Sequence, residues 1–404
     1  MVSSIELMIH MAQTPNLSLL QNKFRKLEDF LSGKIIGHPE MVRGAILSLI
    51  AGEHVLLIGP PGTAKTLLAN TLTDAVDQAK AYKYLLTKYT EFAELFGALD
   101  INALSQGQYK RNWSGIISAQ IVFLDEVFKA NSAILNSLLS LLNERVVYDP
   151  LTGQPIQASL LMSIGASNEL PTEEELGALF DRFLIKIYVG YLDDQLKMGQ
   201  ALQSVWGRTN TNEEVLTIQE VQQAQEVVRG MLTQSINLRT VKVPLFQIYG
   251  DNVFAFIKSL RSKGVMISDR TVISKLPKLF AAYLFLNMDN GKVTLTALQN
   301  WVFDVMPLLA RSPEEKKVIE KSLDEALGEV AELQRKLNEG VELMRAMNLK
   351  DAGNKFREVL NFDVSKIPDY LMPRAEVVVK QAKQYLDKIA QIQQTLTAEE
   401  DEAQ

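Results

Sequence analysis

A chain of 404 residues with 47% hydrophobic and 7% aromatic content can bury a sizeable core, and its length predicts two or three domains. The absence of cysteine excludes disulfides and thiolate metal sites, and three scattered histidines, His10, His38 and His54, argue against an imidazole metal site. A net charge of -6 argues against a general binder of phosphate backbones, which would carry an excess of lysine and arginine, while leaving a local basic patch open.

The opening stretch, Met1 to Pro15, has no positively charged region ahead of its apolar residues. No later segment approaches the roughly 20 uninterrupted apolar residues of a membrane span. A cytoplasmic protein without membrane insertion is expected. From roughly Leu17 to Gly190, short apolar runs alternate with amphipathic stretches, the pattern of a parallel sheet with crossover helices. Strands are predicted at His54 to Ile58, Tyr82 to Leu86, Gln120 to Leu124, Leu160 to Ala166 and Leu184 to Tyr188. Between Asp193 and about Arg311 the chain turns largely helical, with a cap at Ser268-Asp269 before Arg270 and breakers at Pro244, Pro277 and Pro307, which predicts a smaller helical lid.

After Ser312-Pro313, apolar or small residues recur at Ile319, Leu323, Ala326, Val330, Leu333, Leu337, Gly340, Met344 and Met347, and the same spacing returns at Val378, Ala382, Tyr385, Ile389, Ile392 and Leu396. Two long helices around an irregular middle segment with Pro368 and Pro373 predict an antiparallel helical hairpin. Helices that merely lie on the lid are the alternative. This segment, 312–404, holds 19 acidic and 14 basic residues, so most of the net negative charge sits there. The expected division is a nucleotide-binding core over 1–190, a lid over 191–311 and an extension over 312–404.

Gly59-Pro60-Pro61-Gly62-Thr63-Ala64-Lys65-Thr66 follows an apolar strand and precedes a helical pattern, the context of a phosphate-binding loop. Gly59 and Gly62 let backbone N–H groups face phosphate oxygens, Lys65 adds charge and Thr66 a magnesium ligand. Ala64 departs from the strict pattern and is expected to keep a right-handed backbone. Ile121 to Glu126 reads as a buried strand ending in two carboxylates, so Asp125 can hold hydrated magnesium while Glu126 polarises the attacking water. A polar loop is the alternative for that pair. Asn168, after the apolar strand through Ala166, can orient the water or simply close a turn. Arg182, directly before a strand, can reach a neighbouring subunit's phosphate or pair locally with Asp181. Arg270, opening a lid helix, can reach back to the phosphates or lie free on the surface.

Together these residues resemble the AAA+ superfamily, and their details are similar to its MoxR family, especially the RavA branch, over roughly Leu17 to Arg311. Phe96-Gly97-Ala98-Leu99 with a hairpin-like insertion to Gly115, Leu141-Leu142-Asn143-Glu144-Arg145 and Ala166 to Pro171 add to the match. The resemblance implies an α/β P-loop core with ATP and Mg2+ as ligands. By it Lys65 and Thr66 are Walker A, Asp125 and Glu126 Walker B, Asn168 sensor 1, Arg182 the arginine finger and Arg270 sensor 2. Leu67 joins the nucleotide contacts, and Ile36-Gly37-His38-Pro39 is similar to the segment that packs on adenine. The resemblance also places the insertion of about 97–115 and a hairpin of about 147–158 toward a central pore, where Lys110, Arg111 and Trp113 can contact a client or the hairpin tip can simply be buried between subunits.

The expected function is an Mg·ATP-dependent ring motor, a hexamer, that remodels or matures a protein complex, with a von Willebrand factor A domain protein as a partner on another chain. The client is not identified by the residues. A low-turnover nucleotide-gated scaffold and a nucleic-acid translocase are the competing readings, and the acidic C-terminal segment disfavours the second.

Overall fold

A computed structural model of the chain describes residues 17–171, 174–206, 215–238, 241–289, 291–345, 348–367 and 372–402. His10, Met347 and Pro368 lie outside the described residues, as do the side chains of Ala326, Ile392 and Leu396. The chain divides into two compact units, Met1–Leu245 with Ser268–Pro313, and Phe246–Ile267 with Glu314–Gln404.

In the first unit, α1 (Leu17–Lys34) buries the stripe Leu20, Phe24, Leu27 and Leu31. Helix α2 (Pro39–Ala51) opens on a proline, whose missing N–H has no partner to lose at a first turn, and stops at Gly52 with φ 68°. There follow β1 (Val55–Ile58), α3 (Lys65–Asp74), β2 (Val76–Asp77), β3 (Ala81–Leu85), α4 (Phe92–Phe96) and α5 (Ile101–Ser105). Next come β4 (Ile121–Asp125), α6 (Ser132–Glu144), β5 (Val146–Tyr148), β6 (Pro155–Gln157), β7 (Met162–Ser167), α7 (Glu174–Phe180) and β8 (Ile185–Tyr188). Five strands form one sheet in the order β3-β4-β7-β1-β8, with every neighbouring pair parallel. They are the five predicted strands, with each end shifted by two residues or fewer.

The continuous apolar runs of β1, β4 and β7 suit central strands covered on both faces, whereas β3 alternates exposed and half-buried residues at the edge. Because all five run parallel, the segments that leave β1, β4 and β7 collect along one edge of the sheet, where ligands bind in such folds.

After β8 the chain turns largely helical, with α8 (Gln195–Trp206), β9 (Leu216–Thr217), α9 (Ile218–Thr233), β10 (Ser235–Leu238), β11 (Val241–Pro244), α10 (Leu245–Ser262), α11 (Leu276–Leu286) and α12 (Leu295–Val305). Helix α9 begins with a capping box between Thr217 and Glu220. A π-helical turn, Thr271–Lys275, leads into α11, where the Leu276 N–H reaches Thr271 O and Pro277 has no N–H to give.

The second unit joins α10 to α13 (Pro313–Arg345), α14 (Leu349–Leu360) and α15 (Met372–Glu402). Lys263 Nζ bonds Ser322 Oγ at 2.8 Å and Glu325 at 3.0 Å. The predicted seam residues Ile319, Leu323, Val330, Leu333, Leu337, Val378, Ala382 and Ile389 are buried. The middle segment is not irregular as expected, because it holds α14. Phe356 of α14 stacks on Tyr385 of α15 at 5.2 Å, and its ring lies where a Cβ on Gly340 of α13 would fall 2.5 Å away.

The insertion after α4 is closed by backbone bonds, Asn112 N–H to Ala98 O at 2.9 Å and Asp100 N–H to Lys110 O at 2.8 Å, with α5 inside the loop, capped by Asp100. Arg111 is not a free gripping group. It donates to Gly97 O at 2.6 Å, lies over the rings of Phe92 and Trp113, and pairs at 3.7 Å with Asp149 beside the β5-β6 hairpin. Its side chain is 6% exposed, so the client contact expected of Arg111 is replaced by a buried clamp joining the insertion to the hairpin. Trp113 is likewise packed edge-on against Phe92, and Lys110 alone of the three is exposed.

Candidate nucleotide site

The chain leaves β1 at Ile58 and must turn at once into α3. Gly59 passes so close to β8 that a Cβ would sit 2.0 Å from Val189 O, and Gly62 has φ 81° in open space. Ala64 adopts φ 62° and ψ 13°, a left-handed conformation rather than the expected right-handed one. The turn into α3 demands that bend, and a methyl side chain tolerates it at a cost of roughly 1–2 kcal/mol.

Lys65 starts α3 and is buried, with its Nζ donating to Gly59 O, to Pro60 O at 2.8 Å and to Asn168 Oδ1 at 3.2 Å. Thr63 is buried and donates to Pro60 O at 2.8 Å, while Pro61, Thr66 and Leu67 are exposed. Burial lowers the Lys65 pKa, against the opposing charges of Asp125 and Glu126. Its hydrogen-bonded partners among the described residues are all neutral oxygens. A buried ammonium held this way lacks a close anion, and a phosphate supplies one.

At the end of β4, Glu126 takes φ 51° and its N–H donates to Asp125 Oδ1 at 3.0 Å. Asn168, just past β7, donates from Nδ2 to Glu126 Oε1, and Lys129 Nζ lies 3.2 Å from the same oxygen. Lys65, Asn168 and Glu126 therefore form one hydrogen-bonded chain across the ends of β1, β7 and β4. Thr66 and Asp125 offer a hydroxyl and one carboxylate beside the loop, a donor set that suits magnesium, which keeps much of its water and takes its remaining ligands from phosphates.

Gly37 has φ 86° and packs so tightly that a Cβ would meet Leu192 Cδ2 at 2.2 Å. The pKa of His38 is lowered by burial and then by Lys197. Gly37 thus lies against the chain leaving β8, the same segment that Gly59 touches at Val189.

Arg182 and Arg270 are not brought to this edge. Arg182 precedes β8, and the neighbouring Leu184 N–H bonds His54 O ahead of β1. The phosphate loop lies beyond the other end of β1, about 13 Å away at 3.3 Å per residue. Arg270 stands at this far end too: it directly precedes the turn Thr271–Lys275, whose Lys275 Nζ donates to Arg182 O at 2.9 Å, and its charge adds to burial in lowering the Arg182 pKa. The expectation that Arg270 reaches back to its own subunit's phosphates is corrected on that ground, since the turn into α11 is anchored at the opposite end of the strands. Asp181 pairs with Arg311 at 3.4 Å, and the buried Arg182 Nε has no hydrogen-bond partner among the described residues.

Sequence reading passed over Lys129, legible only as a lysine one 3₁₀ turn beyond Glu126. It also passed over Glu53 and Lys275, which carry no local signal.

A family model described as the MoxR domain of the MoxR-vWA-beta-propeller ternary systems matches residues 22–228, half of the chain. An uncharacterized protein of Methanocaldococcus jannaschii is 33% identical over 265 residues, covering 65% of this chain and 66% of that protein. The chaperone MoxR1 of Mycobacterium tuberculosis is 28% identical over 163 residues, covering 39% of this chain and 41% of that one. The chain thus spans less than two thirds of either relative's length. A crystal structure of a Cytophaga hutchinsonii protein assigned as an ATPase shares the fold, with TM-score 0.52 at 20% identity, covering 76% of this chain and 86% of that one. With a phosphate loop, an acidic strand end and an asparagine aligned on a five-stranded parallel sheet, the chain belongs to the MoxR family of AAA+ ATPases.

Proposed function

We propose that the chain is an Mg·ATP-dependent motor that hydrolyses ATP between the subunits of a ring, a hexamer, and remodels or matures protein complexes in the cytoplasm. The observation that carries this reading is the split of the charged groups. Lys65, Asn168 and Glu126 are linked at one end of the strands, and Arg182 and Arg270 stand together at the other. A subunit built this way holds half of a site on each side. Head-to-tail contact that closes on itself brings the two halves together.

In the assembled site, Lys65 and the loop backbone hold the phosphates of ATP, and Thr66 and Asp125 hold magnesium. Magnesium would offset charge on the β- and γ-phosphates. Glu126 accepts the proton of the attacking water, which Asn168 orients, and Arg182 of the neighbour meets the charge developing on the γ-phosphate, with Arg270 beside it. Ile36 and Gly37 border the base. The family model's description, with its MoxR-vWA systems, supports a von Willebrand factor A domain protein as the partner that ties the ring to a client. The net negative charge supports a protein client over nucleic acid.

Steady-state ATP hydrolysis measured against protein concentration, alongside the mass of the assembly, tests this. Turnover per subunit should rise as the assembly forms, and Glu126→Gln and Arg182→Ala should each lower it by about 100-fold or more. A wild-type protein that turns over equally well as a monomer would sink the shared site.

A further inference from the structure

Glu53 lies two residues ahead of β1 and is buried, and two lysines from the far side of the chain converge on it. Lys278 Nζ in α11 sits 2.8 Å from Oε1, and Lys275 Nζ in the preceding π-helical turn sits 3.8 Å from Oε2. Lys275 makes a second contact that an ion pair does not need: it donates to the backbone carbonyl of Arg182 at 2.9 Å. Buried ion pairs contribute little net stability against an apolar replacement, so a buried lysine that also holds a distant backbone carbonyl invites another explanation.

The groups facing Lys275 give one. Burial pushes its pKa down to about 8, Glu53 opposes that shift, and the charges of Arg270, Arg182 and Lys278 add to it. Glu144, at the end of α6, and Asp181 act on Arg182 with the opposite sign. Arg182 keeps its Nε buried and without an acceptor among the described residues. Glu53 thus clasps the two lysines, and Lys275 in turn holds the backbone of an arginine whose Nε is buried.

We propose that Lys275, clasped by Glu53, is a positioning residue for Arg182. By fixing the Arg182 carbonyl and the turn that carries Arg270, it presents the two arginines as one unit to the nucleotide held by the neighbouring subunit. The inference rests on the shared-site reading above. It assigns to Lys275 an effect on the neighbour's turnover, not on its own subunit's nucleotide binding, because Lys275 sits at the end of β1 away from the phosphate loop.

The test uses the full-length protein and mixed rings. Lys275→Met should lower turnover by about 10-fold to 100-fold, the range for loss of a transition-state contact, while affinity for a fluorescent ATP analogue changes by less than about twofold. Lys275→Arg, which keeps the charge, should recover part of the rate. In equimolar mixtures, Lys275→Met with Glu126→Gln should regain activity, because about a quarter of the neighbouring pairs in a randomly mixed ring then join an intact Glu126 to an intact arginine pair. Lys275→Met with Arg182→Ala should regain nothing, since both damage the same side.

If the Glu126→Gln mixture with Arg182→Ala regains activity but its mixture with Lys275→Met does not, Lys275 acts within its own subunit and the proposal is overturned. Wild-type turnover in Lys275→Met overturns it as well. If the mixture of Glu126→Gln with Arg182→Ala is itself inert, the shared-site reading fails and this inference falls with it. A thermal melt and the analogue titration identify a variant that has simply unfolded, and Glu53→Gln, which loosens the clasp while leaving the Lys275 contact to Arg182, must then show the same mixing pattern or the proposal is overturned.

Discussion

His54 sits with no exposed surface between the start of β7 and the end of α6. Its Nδ1 accepts from Ser163 N–H at 2.9 Å, which leaves the proton on Nε2, 2.8 Å from Leu142 O. Burial, then the charge of Arg145, holds its pKa well below the ordinary value. The unfolded chain therefore takes up a proton below about pH 6.5 that the native chain refuses, so this residue removes stability as pH falls below that value, at up to about 1.4 kcal/mol per pH unit. Melting temperatures of wild type and His54→Gln between pH 7.5 and 5 should draw together as pH falls, and parallel curves would count against a neutral His54. At this scale the candidate motif was legible, because a phosphate-binding loop keeps its glycines, lysine and hydroxyl residue at a fixed covalent spacing, which Gly59, Gly62, Lys65 and Thr66 match. The left-handed backbone of Ala64 was not, since a methyl side chain carries no mark of its conformation.

Helix α8 buries none of its residues and exposes Leu196, Met198, Leu202, Val205 and Trp206, with Tyr191 exposed just before it. So large an apolar surface on a single chain points to a covering partner. Because Leu192 and Lys197 lie against Gly37, a ring whose nucleotide sits between subunits would cover this helix with the next copy. Leu202→Glu should then raise the protein concentration for half-assembly by about tenfold, from the apolar burial it forfeits. Trp206 is 83% exposed whereas Trp301 is fully buried, so tryptophan emission should move to shorter wavelength on assembly and lose that response in Trp206→Phe. An unchanged spectrum in a ring of measured mass would leave α8 outside the interface. The sheet strands were legible as elements because they are short runs rich in apolar, β-branched or aromatic residues that any partner strand could cover. Helix α14 was not: Pro368 and Pro373 suggested irregular chain throughout, yet both lie beyond its end at Leu360. The pairing of β10 with β11 was equally hidden, as it depends on a partner rather than a pattern.

Across the whole molecule, Phe246–Ile267 belongs with the C-terminal helices although in the chain it lies between two segments of the first unit. Val253, Phe256, Ile257 and Leu260 of α10 are buried. A chain ending at Arg311 would retain α10 without the helices it groups with, and is expected to precipitate or bind a hydrophobic dye strongly. A companion that also replaces 246–267 by a short polar linker should stay soluble and bind ATP, and equal solubility of the two truncations would contradict the grouping. Motifs confined to a few residues, the glycine-rich loop after β1 and the acids closing β4, could be read directly, because the strand, the turn and the side chains that follow are covalent neighbours. The same holds for the seams of α13 and α15, where burial follows a period within one helix. The placement of Arg270 beside Arg182 could not be read, nor could the burial of Arg111 against Asp149 or the clasp of Glu53. Lys275 and Lys278 meet their partners across 93 and 225 positions of sequence, and no local periodicity encodes contacts that exist only once the strands and lid helices have packed.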